Sequence, residues 1–427
     1  MSFIRSSLFS LALTLLIGGF SVAEEPYSAG EFFDHLSSIY DQHEKQAGDY
    51  LLSEIDLFTQ LYPQSDLIPR AYHLKALVYL EQGDEPRALV ELLRVLHLYP
   101  ESDIVSAATG NIKTMIETEK DIRERRSQLE TLLASPVAGS RAERHHLFIE
   151  YLHNLGIDDL RRHFVWAGQE FIASFPDHES VPEVHRWIVE AYELDGKEDA
   201  ANAGYQKYLA LYADSKSAGT MKVKWAEHLY LRVKDHLRAL EVLEQVLNDY
   251  AGQNAAGEAL YHRAKIRYSE SKEYTLAITD ARKLVTDFPQ HPRVFDALKF
   301  IAETNAKRLK QYQIAIDTYD EIAQLFPGDA RVFATMKEAA DLCETKLGYF
   351  LKASERFAAL AEAYPDHEGA VEALEGAAGI LEKRVNDCPG ALEAYQKLIA
   401  KYPNSKEADT ARKRVEKLQK KVADGKC

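Results

Sequence analysis

A single phrase recurs along almost the whole chain, and it limits the fold more than any other feature. Ala391–Ser405 reads ALEAYQKLIAKYPNS, an amphipathic helix that stops at Tyr-Pro. Related phrases begin at Ala88, Ala201, Ala239, Ala277, Ala315 and Ala353. Their closing positions are Pro63, Pro100, Pro136, Pro176, Ala213, Ala251, Pro289, Pro327, Pro365 and Pro403, spaced 37, 36, 40 and 37 residues apart and then 38 residues five times. Self-similarity at this period predicts stacked helical hairpins.

The chemistry of the phrase explains its form. In seven of the ten units an Ala lies twelve residues before the closing position, where a small side chain lets two helices approach. Large apolar residues follow at four and seven places, as in Tyr395 and Leu398, or Phe357 and Leu360, which makes one buried helical stripe. An aromatic residue then precedes the closing position, as at Tyr62, Phe288 and Tyr402. A following Pro pushes that residue out of α geometry and ends the helix. The polar residues after it suit a turn and a cap.

These residues resemble the tetratricopeptide repeat (TPR) family. Ala76, Tyr79, Gly83, Ala88 and Pro100 fall at the family's spacing, its Tyr recurs as Tyr192, Tyr230 and Tyr268, and its turn Gly as Gly196. The period is longer than the family's 34 residues. The extra residues lie between the Pro and the next Ala, which predicts a first helix about one turn longer. The family's Trp and Leu-Gly pair are mostly missing. The Tyr-Pro-x-Ser form resembles the modules of bacterial envelope proteins such as the Tol–Pal-associated periplasmic protein and outer-membrane assembly lipoproteins. The resemblance implies an all-α, right-handed superhelical solenoid of about ten hairpins, with a concave groove lined by the first helix of each.

Residues 1–23 read as a secretory signal peptide: Arg5, an apolar run Leu8–Phe20, and Ser21-Val22-Ala23 before Glu24. No Cys follows the run, so the lipoprotein pattern is missing. The expected product is exported and periplasmic, with a peripheral membrane position left open and no transmembrane segment after cleavage. The expected divisions are an N-terminal block over 24–137, a regular array over 138–403, and a basic capping helix and tail over 404–427. Ala138–Ser140 is the expected weak joint. The unit ending at Pro136 reads as degenerate, with Asp121–Leu133 as its second helix. The formal net charge is −15, although 401–427 holds nine Lys or Arg against four Asp or Glu. Such an acidic chain is a poor ligand for nucleic acid.

No phosphate-binding Gly-rich loop, nucleophile elbow or His-Glu-x-x-His pair is present. No catalytic or cofactor-binding residue is assigned, and no cofactor is expected. The best metal constellation is His146, Glu150 and His153 on one helical face, with His145 and His163 nearby. Surface or groove histidines are the plainer reading of it. Asp177-His178-Glu179 and Asp366-His367-Glu368 look like catalytic triplets, but both follow the closing Pro and suit turn chemistry. Trp187 and Trp225 recur in phase with the repeat, which favours packing over ligand platforms. In an exported chain Cys343 and Cys388 are a candidate disulfide, with Cys427 as an intermolecular thiol.

The function expected is a non-catalytic protein-protein interaction scaffold of the cell envelope. It would hold a protein or peptide segment in the groove, serving outer-membrane maintenance, cell-wall growth or secretion. The alternatives are a polysaccharide-export or glycan-binding subunit, and a metal-dependent periplasmic enzyme using the His145–His163 region.

Overall fold

A computed structural model describes residues 27–43, 47–135 and 137–426. The expected signal peptide, Pro136 and Cys427 lie outside the described residues. The chain forms two compact units, one ending at Lys197 and the other Glu198–Cys427. The joint expected at Ala138–Ser140 lies inside the first.

Unit 1 contains α1 (Ala29–His43), α2 (Gly48–Leu61), α3 (Ile68–Gln82), α4 (Glu85–Leu98), α5 (Val105–Thr118), α6 (Lys120–Arg123), α7 (Arg126–Ala134), α8 (Arg141–Leu155), α9 (Arg161–Ser174) and α10 (Val181–Leu194). Unit 2 contains α11 (Glu198–Leu211), α12 (Ala218–His228), α13 (His236–Asp249), α14 (Asn254–Ile266), α15 (Tyr274–Asp287), α16 (Val294–Thr304), α17 (Tyr312–Leu325), α18 (Arg331–Leu342), α19 (Phe350–Ala363), α20 (Ala370–Ile380), α21 (Cys388–Lys401) and α22 (Lys406–Ala423). The described residues hold no strand, and no helix among them is long and apolar enough to cross a membrane. The fold is all-α, built from repeated hairpins.

The small residues sit where the spacing places them. Ala88, Ala201, Ala239, Ala277, Ala315, Ala353 and Ala391 are all fully buried. The aromatics that end the second helices reach back one repeat. Tyr402 donates its hydroxyl to the Pro365 carbonyl at 2.8 Å, and Tyr250 to that of Ala213 at 3.4 Å. Phe326 and Tyr364 meet Phe295 and Phe333 edge to face. The rings thus reach the preceding hairpin, and the Tyr402 and Tyr250 hydroxyls also tie a carbonyl there.

The longer period of unit 2 is absorbed in an unanticipated way. Each first helix from α12 to α20 ends in a five-residue π turn: Leu229–Val233, Arg267–Ser271, Asn305–Leu309, Cys343–Leu347 and Leu381–Val385. The next residue is left-handed (Lys234, Lys272, Lys310, Gly348, Asn386), with φ between 56° and 66°. Unit 1 makes its α3–α4 turn more tightly, through Gly83 at φ 72°. The π turn widens the end of the helix before the chain reverses. Asp235 and Asp387 then cap the following helices by accepting from the backbone N–H three residues on. At the C-terminus, α22 packs on α21, burying Ala408, Ala411 and Leu418.

The unit ending at Pro136 differs from the single second helix predicted over Asp121–Leu133. The helix breaks between Arg123 and Arg126. There Arg125 donates to the Leu155 carbonyl at 2.7 Å and the Gly156 carbonyl at 3.4 Å, satisfying the end of α8. Helix α4 packs against both α5 and α8.

Candidate functional site

The histidines of the His145–His163 region face three different surroundings. His145 is buried among Phe148, Phe171 and Phe175, and burial pushes its pKa down to about 4. His146 and His153 lie nearly parallel to the indole of Trp187, at 5.8 and 4.7 Å between ring centroids. His146 also stacks on His178 at 5.9 Å, and its pKa is lowered chiefly by burial. His153 Nε2 approaches Glu190 at 3.9 Å. His163 lines a cleft of about 800 Å³ whose wall also carries Asp84, Glu119, Asp121, Asp159 and Arg162. Among the described residues no three His, Cys, Asp or Glu are grouped to hold a metal ion. His146 and His153 are engaged as flat rings against Trp187, a packing role.

The same unit buries a charged centre that the sequence reading missed. Arg94 on α4 is fully buried. Its Nε donates to Glu91 at 3.1 Å and its Nη1 to Glu170 on α9 at 2.9 Å. The guanidinium lies 4.9–5.3 Å from the rings of Tyr72, Phe148 and Trp166. Lys75 adds a second cation, 3.5 Å from Glu91 and 2.6 Å from Asp56. Paired charges and aromatic faces offset the desolvation cost of each group. Trp166 itself is half exposed, so the cluster reaches the surface there.

In unit 2 the first helices carry a ladder of charge that crosses from repeat to repeat. Arg293 reaches Glu258 at 3.2 Å and Asp296 at 3.6 Å, and Arg331 reaches Asp296 at 4.0 Å. Arg331 also lies over the Phe295 ring at 3.9 Å, and Arg293 over Tyr261 at 5.0 Å. Glu303, Glu338 and Glu375 stand further along these helices at least partly exposed. This is a surface of repeated weak contacts rather than one chemical centre.

The remaining motifs resolve into structure. His178 Nδ1 accepts from the Ser180 backbone N–H at 3.2 Å, and His367 Nδ1 from that of Gly369 at 3.0 Å. His291, two places after Pro289 like the others, accepts from Arg293. Ser65 and Asp329 do the same at the equivalent place, so the triplets are turn caps. Trp187 is buried, and Trp225 donates to Asn202 at 2.8 Å beneath Arg238. The candidate Cys343–Cys388 disulfide is incorrect. Cys343 is free and buried in the unit 2 core, while Cys388 is disulfide-bonded. Both cysteines are buried in the same core cluster, so closeness in the repeat did not make them partners.

Residues 258–291 and 372–405 match the family model described as Tetratricopeptide repeat. No curated protein matches the chain. Among solved structures, the chain is similar to YrrB, described as a TPR protein with an unusual peptide-binding site. That match has 20% identity, covers 49% of this chain and 97% of YrrB, and has a TM-score of 0.32. The C-terminal part of a TPR repeat-containing protein from Cytophaga hutchinsonii shows 14% identity, coverage of 62% and 98%, and a TM-score of 0.43. PilW, described as a widely conserved type IV pilus biogenesis factor, shows 15% identity, coverage of 55% and 99%, and a TM-score of 0.32. Those two stretches match as tetratricopeptide repeats, and the buried Ala and the helical hairpin that they contain recur in the neighbouring repeats.

Proposed function

We propose that the chain is a non-catalytic protein-protein interaction scaffold of the bacterial cell envelope, binding an extended peptide or partner helix along its first helices. The observation that carries this reading is the repeat-to-repeat ladder on unit 2, Glu258–Arg293–Asp296–Arg331, which offers similar polar groups at successive 38-residue steps. A long partner gains from many such contacts, each weak alone. The acidic balance of the chain favours a partner with basic or polar faces, held more tightly at low salt. Export rests on the leader read in residues 1–23. The test is affinity purification of the exported chain from cross-linked envelopes, with mass spectrometry. One or two stoichiometric envelope proteins are expected, and the combined variant Asp296→Lys, Glu303→Lys, Glu338→Lys should lose them. An empty capture would count against the scaffold. Competition by free glycans, or loss of function from His146→Ala alone, would assign the chain to a different class.

A further inference from the structure

Unit 2 has an edge whose composition is unlike the rest of the chain. It consists of the π turn, the left-handed residue and the first turn of the next helix in each of five hairpins, ten residues each from Leu229, Arg267, Asn305, Cys343 and Leu381. These stretches hold twelve Lys or Arg against six Asp or Glu, in a chain with 52 against 67 overall. The side chains of Arg232, Lys234, Lys272, Lys346 and Lys383 are exposed there and make no hydrogen bond or ion pair among the described residues.

The same edge carries apolar tips. Of the ten large apolar side chains described as exposed in unit 2, seven lie in these stretches. Leu237 is 66% exposed, Leu351 53%, Ile314 49%, Leu231 47% and Leu276 45%. Along the chain they alternate with cations, as in Leu231-Arg232-Val233-Lys234. Contacts between successive turns hold the tips on one edge. The Tyr230 hydroxyl meets Ser269 at 2.8 Å, Arg308 donates to the Tyr268 hydroxyl at 2.9 Å, and Arg384 lies 4.4 Å over the Phe350 ring.

Backbone conformation adds a second argument. The left-handed position favours glycine, which unit 2 supplies at Gly348, yet Lys occupies it at Lys234, Lys272 and Lys310. A cation there also complements the helix C-terminus, so charge alone does not explain the edge. The aliphatic tips beside the cations need a further cause. Protruding turn tips do not form a concavity that would grip another protein's side chains. They suit a deformable surface that is anionic outside and apolar beneath, where cations meet headgroups and aliphatic tips enter the boundary.

We propose that this turn edge of unit 2 docks on an anionic lipid surface. The inference goes beyond the scaffold reading, since it uses a different face and a protein-free ligand. The test is co-sedimentation of the chain from Glu24 onward with vesicles of phosphatidylcholine alone or mixed with phosphatidylglycerol, at low and high salt. Binding is expected to the anionic vesicles and to weaken with salt. The combined variant Lys234→Gly, Lys272→Gly, Lys310→Gly should lower partitioning on the order of 100-fold, at about a tenfold loss or less per cation. It should melt no lower than the parent, because Gly suits the left-handed position; that separates lost binding from lost folding. The combined variant Leu237→Ser, Leu276→Ser, Leu351→Ser should also weaken binding. No binding to anionic vesicles at low salt, or unchanged binding by the Gly variant, would overturn the proposal. Retention on immobilised polyglutamate without vesicle binding would assign the edge to an acidic protein and overturn it equally.

Discussion

Replacing Arg94 by Ala is expected to destabilise unit 1 by about 3–4 kcal/mol, the lower part of the range for breaking a buried ion pair. The structure sets that figure. Arg94 is fully buried and bonded to two carboxylates. After the replacement, the Glu170 side chain, 36% exposed, can turn to water, but Glu91, 6% exposed, cannot. Lys75 remains 3.5 Å from Glu91 and limits the loss. Forfeited contacts with the Tyr72, Phe148 and Trp166 rings add to it. The companion variant Arg94→Met, Glu91→Leu removes the stranded charge and leaves Lys75 with Asp56 at 2.6 Å. It should recover to within about 1 kcal/mol of the parent, as buried pairs replaced by apolar groups often do. Urea unfolding followed by tryptophan fluorescence is the assay. Trp166 lies against the guanidinium, so it reports locally in an array whose repeats need not unfold together. A loss below about 1 kcal/mol for Arg94→Ala, or a double variant no more stable than the single one, would mean that Glu91 is not stranded when the guanidinium is removed.

Other perturbations separate packing from chemistry. His145 is buried neutral with a pKa lowered to about 4, so its stabilisation is present above the unfolded value of 6.5 and is lost as pH falls towards 4, about 3 kcal/mol in all. His145→Leu should flatten the pH dependence of the urea midpoint between pH 7 and 4, and identical slopes in the two proteins would contradict this. Ala353→Trp or Ala315→Trp should overfill a fully buried helix contact and cost about 1–3 kcal/mol or more, while the exposed Lys420→Ala should change thermal unfolding little. Alkylation in denaturant without reductant should label Cys343 and not Cys388. In the folded protein Cys343 should react slowly, since burial raises its thiol pKa. Labelling of Cys388 before reduction would overturn the assignment.

The hairpins could be read from the sequence because their determinants are local and periodic. A fully buried Ala such as Ala315 and an aromatic such as Phe326 recur at fixed offsets, and each occurrence reinforces the others. The π turns were hidden because a widened helix end needs only one altered hydrogen-bonding step, made by residues as ordinary as Lys234 and Lys310. Arg94 was hidden for a different reason. It stands on a helix of ordinary amphipathic form, and only tertiary packing brings Tyr72, Phe148, Trp166 and Glu170 from three other helices around it. Helical spacing brings His146 and His153 to one face, but it does not show that both rings lie against Trp187. Turn caps such as His291 do carry a signal, the place two residues after the closing Pro, which Ser65 and Asp329 share.

The scaffold reading is tested most directly by cross-linking mass spectrometry on the captured complex, mapping which residues of this chain touch the partner. One stoichiometric protein is expected, cross-linked to the first helices of several hairpins, including the stretch around Asp296 and Glu338. Cross-links confined to one loop, or to the cleft beside His163, would contradict it.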